Sequence, residues 1–268
     1  MTLQQLLTTT SMALLLTAPL ALTACDSGSD DESADETTGD GDGDGDGDTG
    51  MLRLVHLGVF PGDTGTGVDI FVNGEASGIS FEFKQGTPYV ELPAGTYDFD
   101  IVPAGGTIDD SVLTVAGFEL AAGDMWEIVA AGYVAPTDGN AAFTVIPLRE
   151  NGEGIPAGNT RLNVFHTAAL AALTPVDVWV VDANCAPLDP LLQGFEFAGI
   201  ADGVDIAAGE LPLGFDVGQD GTVDACFKVP NLGADALVNA FAVNDDAGNV
   251  SILAHLPDGS VAEVTPEP

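Results

Sequence analysis

The sequence predicts an all-β protein: two tandem antiparallel β-sandwich domains behind a disordered acidic N-terminal spacer. Three observations predict it. Apolar and polar residues alternate with a period of two, as in Tyr97-Asp98-Phe99-Asp100-Ile101, which gives an extended chain one apolar and one charged face. Glycine and proline are abundant, 34 and 16 of 268 residues, and they interrupt the apolar runs about every ten residues, as sandwich turns require. One pattern also occurs twice, about 110 residues apart: Arg-Leu, a strand ending near a histidine, a loop, then Val-Asp-aliphatic-aromatic-Val at Val68–Val72 and Val176–Val180.

Residues 1–24 read as a lipoprotein signal peptide. Met12 to Leu22 form an apolar run shorter than the roughly 20 residues of a membrane-spanning helix and suited to a signal-peptide core. Leu22-Thr23-Ala24-Cys25 resembles the bacterial lipobox, which implies cleavage before Cys25 and a lipid on its thiol. Several acyl chains, at about 0.8 kcal/mol per buried CH₂, anchor a soluble body firmly. No Lys or Arg precedes Cys25, so the terminal amine alone charges the leader. The alternative is an ordinary cleaved signal peptide with an unlipidated thiol.

Residues 25–50 read as the spacer. Residues 26–50 hold nine Asp and two Glu, no base and no aromatic. Such a segment has no apolar surface to offset the entropy of ordering, and as a coil it spans roughly 25–30 Å. Asp40, Asp42 and Asp44, followed by Gly45, copy the first half of an EF-hand loop, but Met51 stands where the twelfth-position Glu belongs. These are weak calcium candidates; loose condensation of divalent cations suits the run better.

The first sandwich is expected over residues 51–148, with strands near 52–59, 67–73, 79–84, 87–92, 96–103, 110–116, 124–133 and 141–148. The strand at 96–103 alternates most clearly, and Gly123-Asp124 marks the turn before the strand at 124–133. Residues 149–159, rich in Gly and polar side chains, read as a linker. The second, divergent sandwich is expected over 160–257, with strands near 160–167, 175–182, 195–200, 203–207, 210–217, 222–229, 236–243 and 249–256, a short helical turn within 167–175, and a tail at 258–268.

The stretches Leu52-Arg53-Leu54-Val55-His56, Val68-Asp69-Ile70-Phe71-Val72-Asn73-Gly74, Leu92-Pro93-Ala94-Gly95-Thr96-Tyr97 and Ala121-Ala122-Gly123-Asp124 together resemble the domain of unknown function numbered 4397. The resemblance covers residues 51 to about 148. The second copy keeps Val164-Phe165-His166 and Val176–Val180 but loses the Asn-Gly and Leu-Pro-Ala-Gly-x-Tyr order. The resemblance implies an immunoglobulin-like or transthyretin-like sandwich in an exported, surface-anchored bacterial protein, often in tandem, with no established activity.

Composition narrows the function. Lys and Arg total 5 against 42 Asp and Glu, a net charge of -37. Nucleic-acid binding needs clustered bases to displace counterions and is excluded; attraction to anionic lipid heads is disfavoured for the same reason. No Gly-x-Ser-x-Gly, no His-Glu-x-x-His and no helix-opening glycine-rich loop occurs, so no catalytic set is expected. His56 and His166 hold equivalent places in separate copies and His255 lies elsewhere, so all three read as structural. Asp69 and Asp177 read as turn-closing carboxylates, and Trp126 and Trp179 as core. Asp216, Asp220 and Asp224 surround a Gly turn, a weak calcium candidate set beside the simpler reading of a solvated hairpin. With Cys25 lipidated, Cys185 and Cys226 remain as a candidate disulfide in an oxidising compartment; the alternative is two separate buried thiols.

The expected protein is a membrane-anchored envelope lipoprotein, held through Cys25 at the outer membrane or cell surface ahead of the inner membrane. It has no cofactor and acts as a non-catalytic binding or structural module toward an envelope or extracellular partner. The alternatives are a secreted carbohydrate-binding or glycan-hydrolysing accessory protein and a calcium-dependent surface adhesin.

Overall fold

A computed structural model describes residues 48–60, 62 and 65–267. The signal peptide, Cys25, most of the spacer and Asp40, Asp42 and Asp44 lie outside the described residues. The described chain runs through eighteen strands. The first half contains β1 (Thr49–Val59), β2 (Val68–Val72), β3 (Glu75–Phe81), β4 (Gln85–Gly86), β5 (Val90–Pro93), β6 (Gly95–Pro103), β7 (Leu113–Leu120), β8 (Met125–Tyr133) and β9 (Thr144–Arg149). The second half contains β10 (Asn159–His166), β11 (Val176–Val181), β12 (Pro187–Phe195), β13 (Ile200–Ala207), β14 (Gly209–Asp216), β15 (Ala225–Leu232), β16 (Ala236–Asn244), β17 (Val250–His255) and β18 (Val261–Val264).

The same pairing order occurs twice. The outer sheet of the first half runs β3-β2-β6-β7 and that of the second runs β12-β11-β14-β15. The inner sheet of the first half runs β4-β1-β8-β9, with β5 also on β1, and that of the second runs β13-β10-β16-β17-β18. Period-two alternation carries no strand direction, and one pair per half departs from the antiparallel expectation: β1–β8 and β10–β16 are parallel. The crossover that a parallel pair needs is supplied by the intervening outer-sheet strands.

The four sheets stack as layers. Leu52, Leu54, Val68, Ile70 and Ile101 form the apolar interior of the first sandwich, and Leu162, Val176, Val178, Phe215 and Phe227 that of the second. A third cluster joins the two inner sheets back to back: Val55, Leu57 and Val129 from the first half meet Phe165, Phe241 and Leu253 from the second. The Phe165 and Phe241 rings lie 4.9 Å apart. The strand β1 is therefore buried on both faces, which explains its nearly unbroken apolar sequence. The two sandwiches form one compact body through this shared layer.

Three local departures have simple causes. The strand expected at 195–200 is found instead at 187–195, a stretch that Pro187 and Pro190 make unlike a strand in sequence; β12 is an edge strand, where proline is tolerated. The expected tail contains β18, which pairs with β17; four residues are too few to display alternation. The helical turn within 167–175 is a single 3₁₀ turn at Ala171–Leu173.

Candidate functional site

The first sandwich is hollow and the second is not. Between the β1-β8-β9 and β2-β6-β7 layers lies a cavity of about 310 Å³, lined almost wholly by apolar side chains that include Phe81, Phe99, Ile101, Val115, Phe118 and Val145. The corresponding space of the second half measures about 40 Å³. Strand registers give the cause. Ile70 pairs with Ile101 as Val178 pairs with Phe215, and Phe99 pairs with Val115 as Leu213 pairs with Phe227. Ile101 and Val115 thus hold the places of Phe215 and Phe227, whose rings lie 4.7 Å apart in the second core. Two phenyl rings help fill one sandwich; in the other, two smaller aliphatic chains leave space that Phe99, in the place of Leu213, only partly takes up.

The cavity reaches the surface between the edge strands β7 and β9, where Leu113, Val115, Phe118 and Val145 are only half-buried. In the second half β18 covers that seam: Ala254 pairs with Ala262, Ile252 with Val264, and the Glu267 N–H donates to Cys226 O. The first half has no such strand among the described residues, and its edge is built to refuse one. The Glu150 N–H donates to Met125 O, so the ladder alternation turns the backbone N–H side of positions 145, 147 and 149 away from β8. Pro147 occupies the place of Ala254 and has no N–H to offer an incoming strand.

His56 lines the back of the cavity. Its Nε2–H donates to Thr66 O at 2.8 Å, and its Nδ1 accepts from the Gly58 N–H at 3.4 Å. His166 makes the matching bond from Nε2 to Leu173 O at 2.6 Å. Each imidazole ties its strand to the following loop. Burial lowers the His56 pKa to about 4, with opposing pulls from Thr66 O and Glu82 too weak to restore it. The folded chain therefore refuses a proton that the unfolded chain accepts between pH 6.5 and 4. Stability is full above pH 6.5 and falls as pH drops through that window, by about 2 kcal/mol near pH 5. His56→Gln retains an amide donor without the titration; its urea midpoint is expected to fall less between pH 7 and 5 than that of the wild type. Equal falls would overturn this assignment.

A second polar feature binds the halves together. Arg53 is fully buried, with Nη2 2.7 Å from Glu150 Oε1 and Nε 2.7 Å from Glu127 Oε2, the latter too bent for a hydrogen bond. Asn239 of β16 donates through Nδ2 to Glu127 at 2.6 Å and to Glu150 at 2.8 Å. The Tyr89 hydroxyl donates to Glu150 Oε2 at 2.6 Å. His255 faces acceptors with both ring nitrogens, Thr87 O at 3.0 Å and the Glu127 carboxylate at 3.1 Å. One proton must therefore lie in the His255–Glu127 contact. Burial pushes the Glu127 pKa up, against His255 and Arg53. Burial also opposes charge on Arg53, but Glu127 and Glu150 outweigh it and hold its pKa above the ordinary value.

The remaining sequence-predicted residues serve local structure. Cys185 and Cys226 are bonded, with Cα atoms 6.0 Å apart. The Asp216 carboxylate accepts from the Gly221 N–H at 2.8 Å and the Asp220 N–H at 3.2 Å; Asp224 accepts from the Val217 N–H at 2.8 Å, and Asp220 from the Thr222 N–H at 2.9 Å. All three close one hairpin. Asp69 accepts from the Gly105 N–H at 2.8 Å and Asp177 from the Gly194 N–H at 2.6 Å. Trp126 packs edge-on against Phe118 at 5.2 Å, while Trp179 is half-buried with its Nε1 unpartnered. Among the described residues no group of three or more His, Cys, Asp or Glu is placed to hold a metal ion, and no helix is long and apolar enough to cross a membrane.

The fold and the cavity define a class: an all-β double sandwich with an apolar cavity open on one side. Within that class, residues 50–179 match the model of the family described as "Domain of unknown function (DUF4397)". The sequence resemblance to that family holds over this stretch, which spans the first half and continues through β10 into β11. No curated protein matches the chain. Among solved structures, a leucine-rich repeat protein from Bacteroides thetaiotaomicron VPI-5482 is similar at 12% identity and a TM-score of 0.19, over 74% of this chain and 26% of that one. The chain spans about a quarter of that protein's length.

Proposed function

We propose that this chain is a lipid-anchored protein of the cell envelope, facing outward from the outer membrane or cell surface, whose body is a non-catalytic binding module with the cavity of the first sandwich as its ligand seat. The open apolar cavity of about 310 Å³ carries the reading, because pockets of this size and lining suit small ligands and the matched space next door is filled. The anchor rests on the lipobox-like Leu22-Thr23-Ala24-Cys25, and the acidic run after it serves as a leash. Every Lys and Arg, five in all, is engaged with a carboxylate, which supports a module that does not hold nucleic acid.

Cell fractionation and ligand titration test the two parts separately. Cys25→Ser is expected to move the protein from the membrane fraction to the soluble one; retention on membranes would overturn the anchor. The purified soluble variant is expected to raise the fluorescence of the uncharged probe N-phenyl-1-naphthylamine in a saturable way. A linear, unsaturable response would overturn the seat.

A further inference from the structure

We propose that the natural ligand of the cavity presents an uncharged hydrocarbon group, of roughly ten carbons or two fused rings, inserted through the seam between β7 and β9. This rests on the cavity being the ligand seat and adds the chemistry of what it takes. An apolar hole of about 150 Å³ holds one benzene in an engineered protein, so about 310 Å³ accommodates roughly twice that hydrocarbon. The second half shows what the space accepts, since Phe215 and Phe227 occupy its counterpart.

The mouth sets the charge. Both lips belong to a stretch with no Lys or Arg between Lys84 and Arg149. Arg149, at the end of β9, pairs with Asp124, and β6, β7 and β9 carry no other Lys or Arg. An anionic head would find no free base here to offset the loss of its water. The one imidazole in the lining is spent on Thr66 O and the Gly58 N–H. An extended peptide is a poorer occupant than a hydrocarbon, because Pro147 interrupts the edge where backbone pairing would form.

The test measures displacement of N-phenyl-1-naphthylamine from the full Cys25→Ser chain by 1-decanol and by decanoate at pH 8. Decanol is expected to compete at a concentration about tenfold or more below decanoate, because burying a carboxylate without a partner is costly. Equal or stronger competition by decanoate overturns the uncharged ligand and leaves the seat standing. Ile101→Phe/Val115→Phe copies the packing of the second half into the first and is expected to abolish probe binding at unchanged or raised melting temperature. Probe binding that survives this change shows that the cavity is not the seat, and both readings fall. If the double variant does not fold, Val115→Phe alone is expected to weaken binding about tenfold or more, and an unaltered affinity counts against the seat in the same way.

Discussion

Arg53→Met is expected to destabilise the folded body by about 3–5 kcal/mol, because it leaves buried carboxylates without their cation. Glu127 and Glu150 both point at the guanidinium, and Asn239 can offer each of them only an amide hydrogen. The change also removes the guanidinium stacked on Tyr89 at 4.7 Å and its bond to Leu256 O at 3.0 Å. The double replacement Arg53→Met/Glu127→Leu takes the charges out as a pair, and His255 can then keep one proton on Nε2 for Thr87 O. It is expected to be less destabilised than the single change, since an apolar pair can replace a buried ion pair at little cost. Urea denaturation at pH 7 of the wild type and both variants measures the difference. A single variant within about 1 kcal/mol of the wild type would show that the carboxylates find other partners. A double variant worse than the single would show that the network, rather than charge balance, holds the halves in register.

The all-β class was legible because alternation is printed in the chain: Tyr97, Phe99 and Ile101 face one way and Asp98 and Asp100 the other. Pairing direction was not, because a period of two is the same for parallel and antiparallel neighbours. The repeat was legible but carried a misleading anchor. Arg53-Leu54 and Arg161-Leu162 match as letters, yet the strand pairings and the loop bonds of His56 and His166 align the halves two residues further on. Arg53 facing Glu127 is then matched by Asn163 facing Asn239. The two pairs meet at the centre of the molecule, where Asn163 donates to Asn239 and Asn239 to Glu127, while Arg161 lies outside and pairs with Asp205. One signal was available: a rare base inside an otherwise apolar run, Leu52-Arg53-Leu54-Val55, in a chain with five bases.

The cavity left no mark on the sequence because its cause is relational. Nothing in Ile101 or Val115 alone announces a void; both are ordinary strand residues. The void follows only when their registers are set beside those of Phe215 and Phe227. The open seam is equally relational, a matter of β18 lying on one half and Pro147 on the other. The two halves thus share one pairing scheme and diverge in how their interiors and edges are packed. One half keeps a filled core and a closed edge, and the other trades packing for an accessible space at a cost in stability that scales with the void.

Reduction of the Cys185–Cys226 bond is expected to lower the stability of the whole body by about 4 kcal/mol, the loop-closure estimate for the roughly forty residues it encloses. Cys185 follows β11 and Cys226 lies in β15, so the bond ties the middle of the second outer sheet to its edge across β14 and closes a loop that contains β12, β13 and β14. That sheet covers the core formed by Phe215, Phe227 and Val229, and the same inner sheet that closes this core presents Phe165 and Phe241 to the first half. Loosening the outer sheet therefore reaches the shared layer without any linker to absorb it. Calorimetry with and without dithiothreitol, followed by free-thiol counting, is expected to show one transition in both conditions, shifted down on reduction. Two transitions, of which only the lower moves, would mean that the central layer of Val55, Leu57, Phe165 and Phe241 does not couple the sandwiches. One unmoved transition with both thiols free would mean that the closed loop contributes nothing that β-sheet pairing had not already secured.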